Sequence, residues 1–491
     1  MQKDFIDFAY SLEVLKKINA TTLDGKPLIN SFFIGEYNIW QTYQSRLFAI
    51  IQEHNFDEDI VPNTRKFIGL KWFLVGTLSV FLSTLAFLSL VLRRKKVLVY
   101  SVDRAHSKFG SDTRLDDVYN ALKKNSILFT EFFHTVLGRD FCRNVLKRKR
   151  SAIYLESLDF IHELFTKLHI LKSPIRINTE RLDVSSFKNK REKMFAINLI
   201  ESYIYRVHLF RFKTKILSRM LHFTKVTHLL GIDDPRTYFE LLLACKENDI
   251  ARYVFQHGCF TKYNVGWLQA ENVEGKIIKP DKLFVWSAFW KQELLRLGTY
   301  YNLDEILVSG ASIPVPIDSE KMEKHSGIHI LIPHERAASK GEVKRFIEKF
   351  IACGAKVFFK IRPGVDSHLQ LKEYFMEKND WGDRFIVIDT IDDNIKKIDF
   401  VAGTCSTFLY KMVIYGKLVI LMKTNVDYGE GMLVNDLIEP LDINDNICKK
   451  LDSFLKIPYS RLEERAKKIS GSNGRYLENI LTQIIKEERL L

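Results

Sequence analysis

After Gly231 the chain settles into one repeated pattern of a short apolar run, a turn and a helix, and this repetition restricts the fold more than any other feature. "DPRTYFELLLACKEND" reads as a helix opened by a proline suited to a first turn, and it leads into the strand "IARYVFQ". The strand "KLFVWS", the glycine-ended helix "AFWKQELLRLG" and the strand "EILVSG" follow. That order predicts an open parallel sheet. Two prolines and a polar run in "ASIPVPIDSEKMEKHSG" then break the pattern, which places a linker at residues 313–327. A second series runs through "IHILIP", "KVFFKIRP", "RFIVID", "DFVAGT" and "LVILMK", with helices at "GEVKRFIEKFIACG" and "STFLYKMVIYG" and charged helices in the tail. The class is therefore α/β, with two Rossmann-like doubly wound domains, residues 97–312 and 328–491, facing each other across a cleft. Ligands are expected at the carboxyl ends of the strands.

Upstream, residues 1–66 read as a helical appendage around a turn at "TTLDGKPL", without recognisable chemistry. Trp72 to Leu92 is a run of 21 residues without a charge. At about 1.5 Å per residue it is long enough to cross a hydrocarbon core of roughly 30 Å. Arg65, Lys66 and Lys71 precede it and Arg93-Arg94-Lys95-Lys96 follow, so residues 67–96 are expected to insert in a membrane. The basic cluster after the run favours a cytoplasmic C-terminal side. A buried core helix or a helix lying in the membrane plane has the same composition, and the Gly, Ser and Thr content suits both. "KVLVYSV", the loop "DRAHSKFGSDTRLDD" and the helix "VYNALKKN" open the first domain. From Cys142 to Lys225, lysines and arginines alternate with apolar residues at helical spacing, which reads as a basic helical insertion with solvated faces.

The formal charge of +14 and a pI near 9.2 call for an anionic partner, whether nucleic acid, anionic lipid or a phosphorylated substrate. No helix-turn-helix, zinc or aromatic RNA-binding signature is present, which argues against nucleic acid. Six scattered cysteines with no Cys-x-x-Cys pair suit neither a zinc site nor a disulfide framework. A reducing setting is expected.

Chemistry should sit at the strand ends. "VAGTCST" places Gly403 and Thr404 at a strand end and Ser406-Thr407 at a helix start, where free N–H groups and hydroxyls would hold phosphate. The same residues also serve as ordinary helix caps. Lys360 and Arg362 end the neighbouring strand and would neutralise the phosphates of a nucleotide, unless Arg362-Pro363 is only a surface turn. His257-Gly258 closes the strand in "YVFQHGCF"; a histidine there can take a proton from a hydroxyl, and a core histidine bonded to backbone is the plain alternative. Asp112, Asp116 and Asp117 are rival bases.

Taken together, "YVFQHGCF", "KPDKLFVWSAFWKQELLRLG", "EILVSGASIP", "VFFKIRPG" and "DFVAGTCSTFLYKMVIYGKLVIL" resemble, in order and spacing, the bacterial surface-polysaccharide transferases of the GT-B fold. That group includes polysialyltransferases, capsule-linker Kdo transferases and CDP-glycerol glycerophosphotransferases. The resemblance covers roughly residues 226–425 and implies a general base at His257. It also implies donor-phosphate binding at Lys360 and Arg362 and at the Ser406-Thr407 pair. Arg362 departs from the family's Lys-x-His-Pro motif, and an arginine cannot act as an acid near neutral pH. The implied protein is a metal-independent glycosyltransferase without a cofactor, its nucleotide-sugar donor being a substrate and its acceptor a glycan or glycolipid. It would sit at inner-membrane lipid with its catalytic domains on the cytoplasmic side. Polyol-phosphate transfer and a non-catalytic scaffold for polysaccharide assembly are the alternatives.

Overall fold

The computed structural model describes residues 8–54, 70–102, 113–134, 145, 151–171, 181–232, 237–311, 327–335, 338–362, 368–376, 381–391, 395–404, 406–424, 430–471 and 480. Helix α1 (Phe8–Ala20), the two-residue strands β1 (Thr22–Leu23), β2 (Lys26–Pro27), β3 (Phe33–Ile34) and β4 (Tyr37–Asn38), helix α2 (Ile39–His54) and helix α3 (Leu70–Leu92) come first. Next are β5 (Val97–Val102), α4 (Asp116–Lys124), β6 (Phe129–His134), β7 (Ala152–Tyr154), α5 (Glu156–Lys167), β8 (Leu182–Asp183), α6 (Lys190–His222) and β9 (His228–Gly231). The first domain closes with α7 (Phe239–Lys246), β10 (Ala251–Phe255), β11 (Lys276–Ile277), β12 (Lys282–Val285), α8 (Ala288–Arg296) and β13 (Ile306–Val308). The second contains β14 (His329–Pro333), α9 (Lys340–Ala352), β15 (Lys356–Lys360), α10 (His368–Met376), β16 (Phe385–Ile388), β17 (Phe400–Gly403) and α11 (Thr407–Ile414). It ends with β18 (Leu418–Met422), α12 (Glu430–Val434), β19 (Glu439–Leu441), α13 (Ile447–Phe454) and α14 (Tyr459–Ser470).

Two parallel sheets organise these elements, in the orders β13-β12-β10-β9-β5-β6-β7 and β16-β15-β14-β17-β18-β19. Strands such as β9, β17 and β18 are buried along their whole length, as parallel strands covered on both faces must be. Strand order reverses between β5 and β9 and again between β14 and β17, which opens a crevice at each carboxyl edge. This is the two-domain α/β architecture expected of a GT-B fold.

The N-terminal segment departs from the expected appendage. Strand β4 pairs with β11 and β1 with β8, and Trp40 stacks on Phe32 and meets Tyr203 of α6 edge-on, ring centres 4.6 Å apart. Leu15, Ile18 and Leu47 join the same core as α6 and α7. The apolar faces of α1 and α2 need a partner, and the 33-residue α6 supplies one. The basic insertion likewise contains β7 and α5 as well as long helix, while residues 313–326 of the expected linker lie outside the described residues.

Cysteine spacing also misled. Cys353, just after α9, is disulfide-bonded to Cys448 of α13 across 95 residues of sequence. Both helices contribute to the second domain's core, and no local motif announces a pair brought together by tertiary packing. Because the bridge closes so long a loop, replacing both cysteines by serine should lower unfolding free energy by about 2–4 kcal/mol, and reductant should bring the wild type to the same point. Denaturant melts with and without reductant check this.

His228, in β9, is fully buried, and burial lowers its pKa from 6.5 to about 4. Between those values the unfolded chain binds a proton that the folded chain does not, so stability is complete above pH 6.5 and falls as the pH drops towards 4. His228→Gln should flatten the stability–pH slope in that window, measured by denaturant melts across it.

Candidate active site

At the second domain's switch point, the chain leaves β14 through His334 and Glu335. His334 N donates to Lys360 O at 2.7 Å, which ties the ends of β14 and β15 together. Glu335 is buried and turns towards β17. Its Oε2 accepts from the N–H and hydroxyl of Thr404 at 2.5 and 2.6 Å, and its Oε1 accepts from Ser406 N at 2.5 Å. The turn before α11 therefore does hold an anion, as helix dipole and free N–H groups dictate, but the anion is this chain's own carboxylate. Gly403 is required for that approach, since a Cβ there would stand 2.7 Å from Leu409 and 3.1 Å from Glu335 Oε1.

The amides of Thr404 and Ser406, expected to be open to a donor, are thus engaged by Glu335. Ser406 also caps α11, its Oγ accepting from Phe408 N at 3.1 Å. Of the other expected ligands, Lys360 reaches the same helix start. Lys360 Nζ lies 5.5 Å from the ring centre of Phe408 and donates to Ile361 O at 3.1 Å. Arg362 is half-buried just beyond the end of β15.

The first domain contributes from the other side. Gln256, buried at the end of β10, accepts from Trp286 N through Oε1 at 2.8 Å and donates through Nε2 to Gly258 O at 2.7 Å. Its carbonyl accepts from Trp286 Nε1 at 3.0 Å, so one side chain and one backbone group fix the His257-Gly258 turn to β12. A Cβ at Gly258 would stand 3.4 Å from Thr407 Cγ2, so this turn lies directly against the start of α11. His257 is half-buried there.

An apolar seam holds the two edges together. Trp290 of α8 meets Tyr410 of α11 with ring centres 5.1 Å apart, and its Nε1 donates to Ile469 O of α14 at 3.1 Å. Ala311 N donates to Ser470 O at 2.9 Å, so the C-terminal helix returns from the second domain to the first.

Of the remaining candidates, Asp116 is the first residue of α4; its side chain, that of Asp117 and all of Asp112 lie outside the described residues. Sequence reasoning missed Glu335 and Gln256, although each is the first or second residue past a strand end. It also missed an ionic group at the first sheet's carboxyl edge. His134 Nδ1 lies 2.7 Å from Glu156, and buried Lys213 of α6 lies 3.1 Å from Asp159 and 2.9 Å from Glu240. Burial pulls the pKa values of His134 and Lys213 down, but the adjoining carboxylates outweigh it and raise both.

The chain matches no protein-family model and no curated protein sequence. Among solved structures it is similar to a UDP-GlcNAc 2-epimerase from Neisseria meningitidis bound to UDP-GlcNAc, with 13% identity, TM-score 0.48, and coverage of 80% of this chain and 100% of that one. It is similar to S. aureus MnaA with UDP at 14% identity and TM-score 0.47, covering 81% and 98% of the two chains. For Acinetobacter baumannii MurG the identity is 10% and the TM-score 0.44, with 80% and 99% covered. Values this low say nothing of this chain's chemistry, which stands on its own geometry.

Glu335→Gln keeps the volume but replaces one carboxylate oxygen by an amide donor facing N–H groups. A loss of about 1–3 kcal/mol in equilibrium unfolding is expected, and an unchanged midpoint would show that the turn does not depend on the carboxylate.

Proposed function

We propose that the protein is a glycosyltransferase of GT-B architecture that moves a sugar from a nucleotide-activated donor to a hydroxyl of a cell-surface glycan or lipid-linked acceptor. One observation carries the reading: His257-Gly258 stands against Thr407 at the start of α11, where Lys360 also reaches Phe408. On this reading, a proton acceptor and a cation from opposite domains would share one small region of the cleft.

In this reading the donor phosphates lie between Lys360, Arg362 and the first turn of α11. As the acceptor oxygen bonds to the anomeric carbon, His257 takes its proton. The bond from that carbon to the phosphate oxygen breaks, and its electron pair leaves with the nucleotide, where the two cations stabilise it. Glu335 sets the limits of the phosphate position. Because its carboxylate already occupies the Thr404 and Ser406 amides, a second anion on those groups would be repelled, and the donor is displaced towards Lys360 and Arg362. The occupied turn also favours a second reading, a scaffold that kept the fold without the activity.

Thermal melts with UDP, CDP and CMP separate the two, because a ligand bound only by the folded state raises the melting temperature. Stabilisation by one of them in the wild type, lost in Lys360→Ala/Arg362→Ala, is expected. No stabilisation by any would favour the scaffold. With a donor in hand, His257→Ala should reduce turnover about 10²–10⁴-fold at nearly constant donor affinity, and retained turnover would move the base elsewhere.

A further inference from the structure

Helix α3 carries the 21-residue apolar run, and its surroundings restrict how it can meet a membrane. It lies along the edge strand β7 and helix α5 and is held there over most of its length. Trp72 and Phe73 pack on Phe160 of α5, and a Cβ at Gly76 would stand 2.2 Å from that ring. Further along, Ser83 Oγ accepts from Tyr154 N at 3.0 Å, which satisfies an N–H on the edge strand, and Ala86 and Leu90 enter the first domain's core. The middle of the attached face is small: between Trp72 and Leu90, Gly76, Ser79, Ser83 and Ala86 recur at helical spacing.

The opposite face is large and uncovered. Leu74, Leu78, Phe81, Leu85, Leu88 and Leu92 follow one another at three- and four-residue steps, and all are exposed, Phe81 at 59% and Leu92 at 80%. With about 100° between residues, the exposed positions cover an arc of about 140°, with only Thr77 and Thr84 as polar members among the described side chains. Arg93, Arg94 and Lys96 are exposed at its C-terminal end, while Lys95 is turned inward and donates to Thr130 Oγ1.

We infer that α3 lies in the plane of an anionic membrane surface rather than across the bilayer, its Leu/Phe face in the acyl region and Arg93, Arg94 and Lys96 at the phosphates. Crossing would carry the edge strand, with His134 and Glu156 beside it, into hydrocarbon, because the attachment spans Trp72 to Leu90. A second copy of the chain is a poorer occupant of this face. A two-helix seam is narrower and is bordered by charged residues that choose the partner, and Trp72 to Leu92 contains none. A wide apolar arc with basic residues at its end fits lipid. The inference is independent of the transfer chemistry.

The test is flotation of the intact protein with vesicles of phosphatidylglycerol or of phosphatidylcholine. Strong flotation with the former and weak flotation with the latter are expected. Leu78→Gln/Leu85→Gln/Leu88→Gln, at exposed positions, should abolish flotation while leaving the thermal melt unchanged; flotation equal to wild type would overturn the assignment. A soluble wild-type dimer that the same substitutions dissociate, with no vesicle binding, would assign the face to a second copy. Orientation is read from Leu70→Cys and Arg94→Cys variants reacted with an impermeant maleimide outside sealed vesicles. Labelling of both supports the in-plane helix, and protection of one alone means that α3 spans.

Discussion

The site depends on the apolar seam that keeps two carboxyl strand edges facing each other. Trp290 is almost fully buried, among Phe260, Trp286, Phe289 and Tyr410, and the backbone of α14 accepts its indole N–H. Residues of both sheets join this one cluster, including Val254 and Val285 from the first and Leu331 and Val401 from the second. An interface built this way resembles a domain core more than a wet hinge, so it fixes the width of the cleft at its base. Its consequence is local: the His257-Gly258 turn reaches Thr407 because Cys259 and Phe260, the next residues, are sunk in the seam.

Two buried side chains then shape the opposing loops, and their difference in charge matters. Gln256 is neutral and satisfies groups within its own domain, so it orders the His257 turn without placing a field on it. Glu335 is a carboxylate at the start of a helix, where dipole and amides stabilise it. The same charge opposes any second anion at those amides. On the proposed reading, a phosphate entering this cleft would therefore be steered to the side of Lys360 and Arg362, and the cations at the end of β15 would matter more than the turn that first draws attention in the sequence.

Most of the scaffold was legible because parallel strands buried on both faces appear as continuous apolar runs. "KVLVYSV", "IARYVFQ", "KVFFKIRP" and "LVILMK" contain the strands β5, β10, β15 and β18 respectively. Strands β6 and β7 were hidden by their composition, since "FTEFFH" includes Glu131 and His134 and "AIY" is only three residues long. At the candidate site, the sequence located the ends of β10, β15 and β17. It could not show that the amides of Thr404 and Ser406 were already engaged, because Glu335 is about 70 residues away in the chain and meets them only through the adjacency of β14 and β17. The Cys353–Cys448 bridge was invisible for the same reason.

Helix α3 shows how far an apolar run can be interpreted from composition alone. Its hydropathy is high all round, and that is the signature of a spanning helix; only the division of residue size between faces distinguishes it from one. Gly76, Ser79, Ser83 and Ala86 are useful where a helix must approach a sheet edge closely, whereas Leu and Phe are useful where bulk must be solvated by lipid or a partner. Size segregation therefore carries information that mean hydropathy discards. The helix ends at Leu92 and β5 starts at Val97, while Trp72 lies beside Phe160 and Ser83 beside Tyr154, so α3 runs antiparallel to the strands. Its N-terminal end is consequently near the carboxyl edge of the first sheet, the edge that also carries His257. A surface gripped by the outward face of α3 would run alongside the strands and reach that edge, and a substrate held in the surface would approach the cleft from the side.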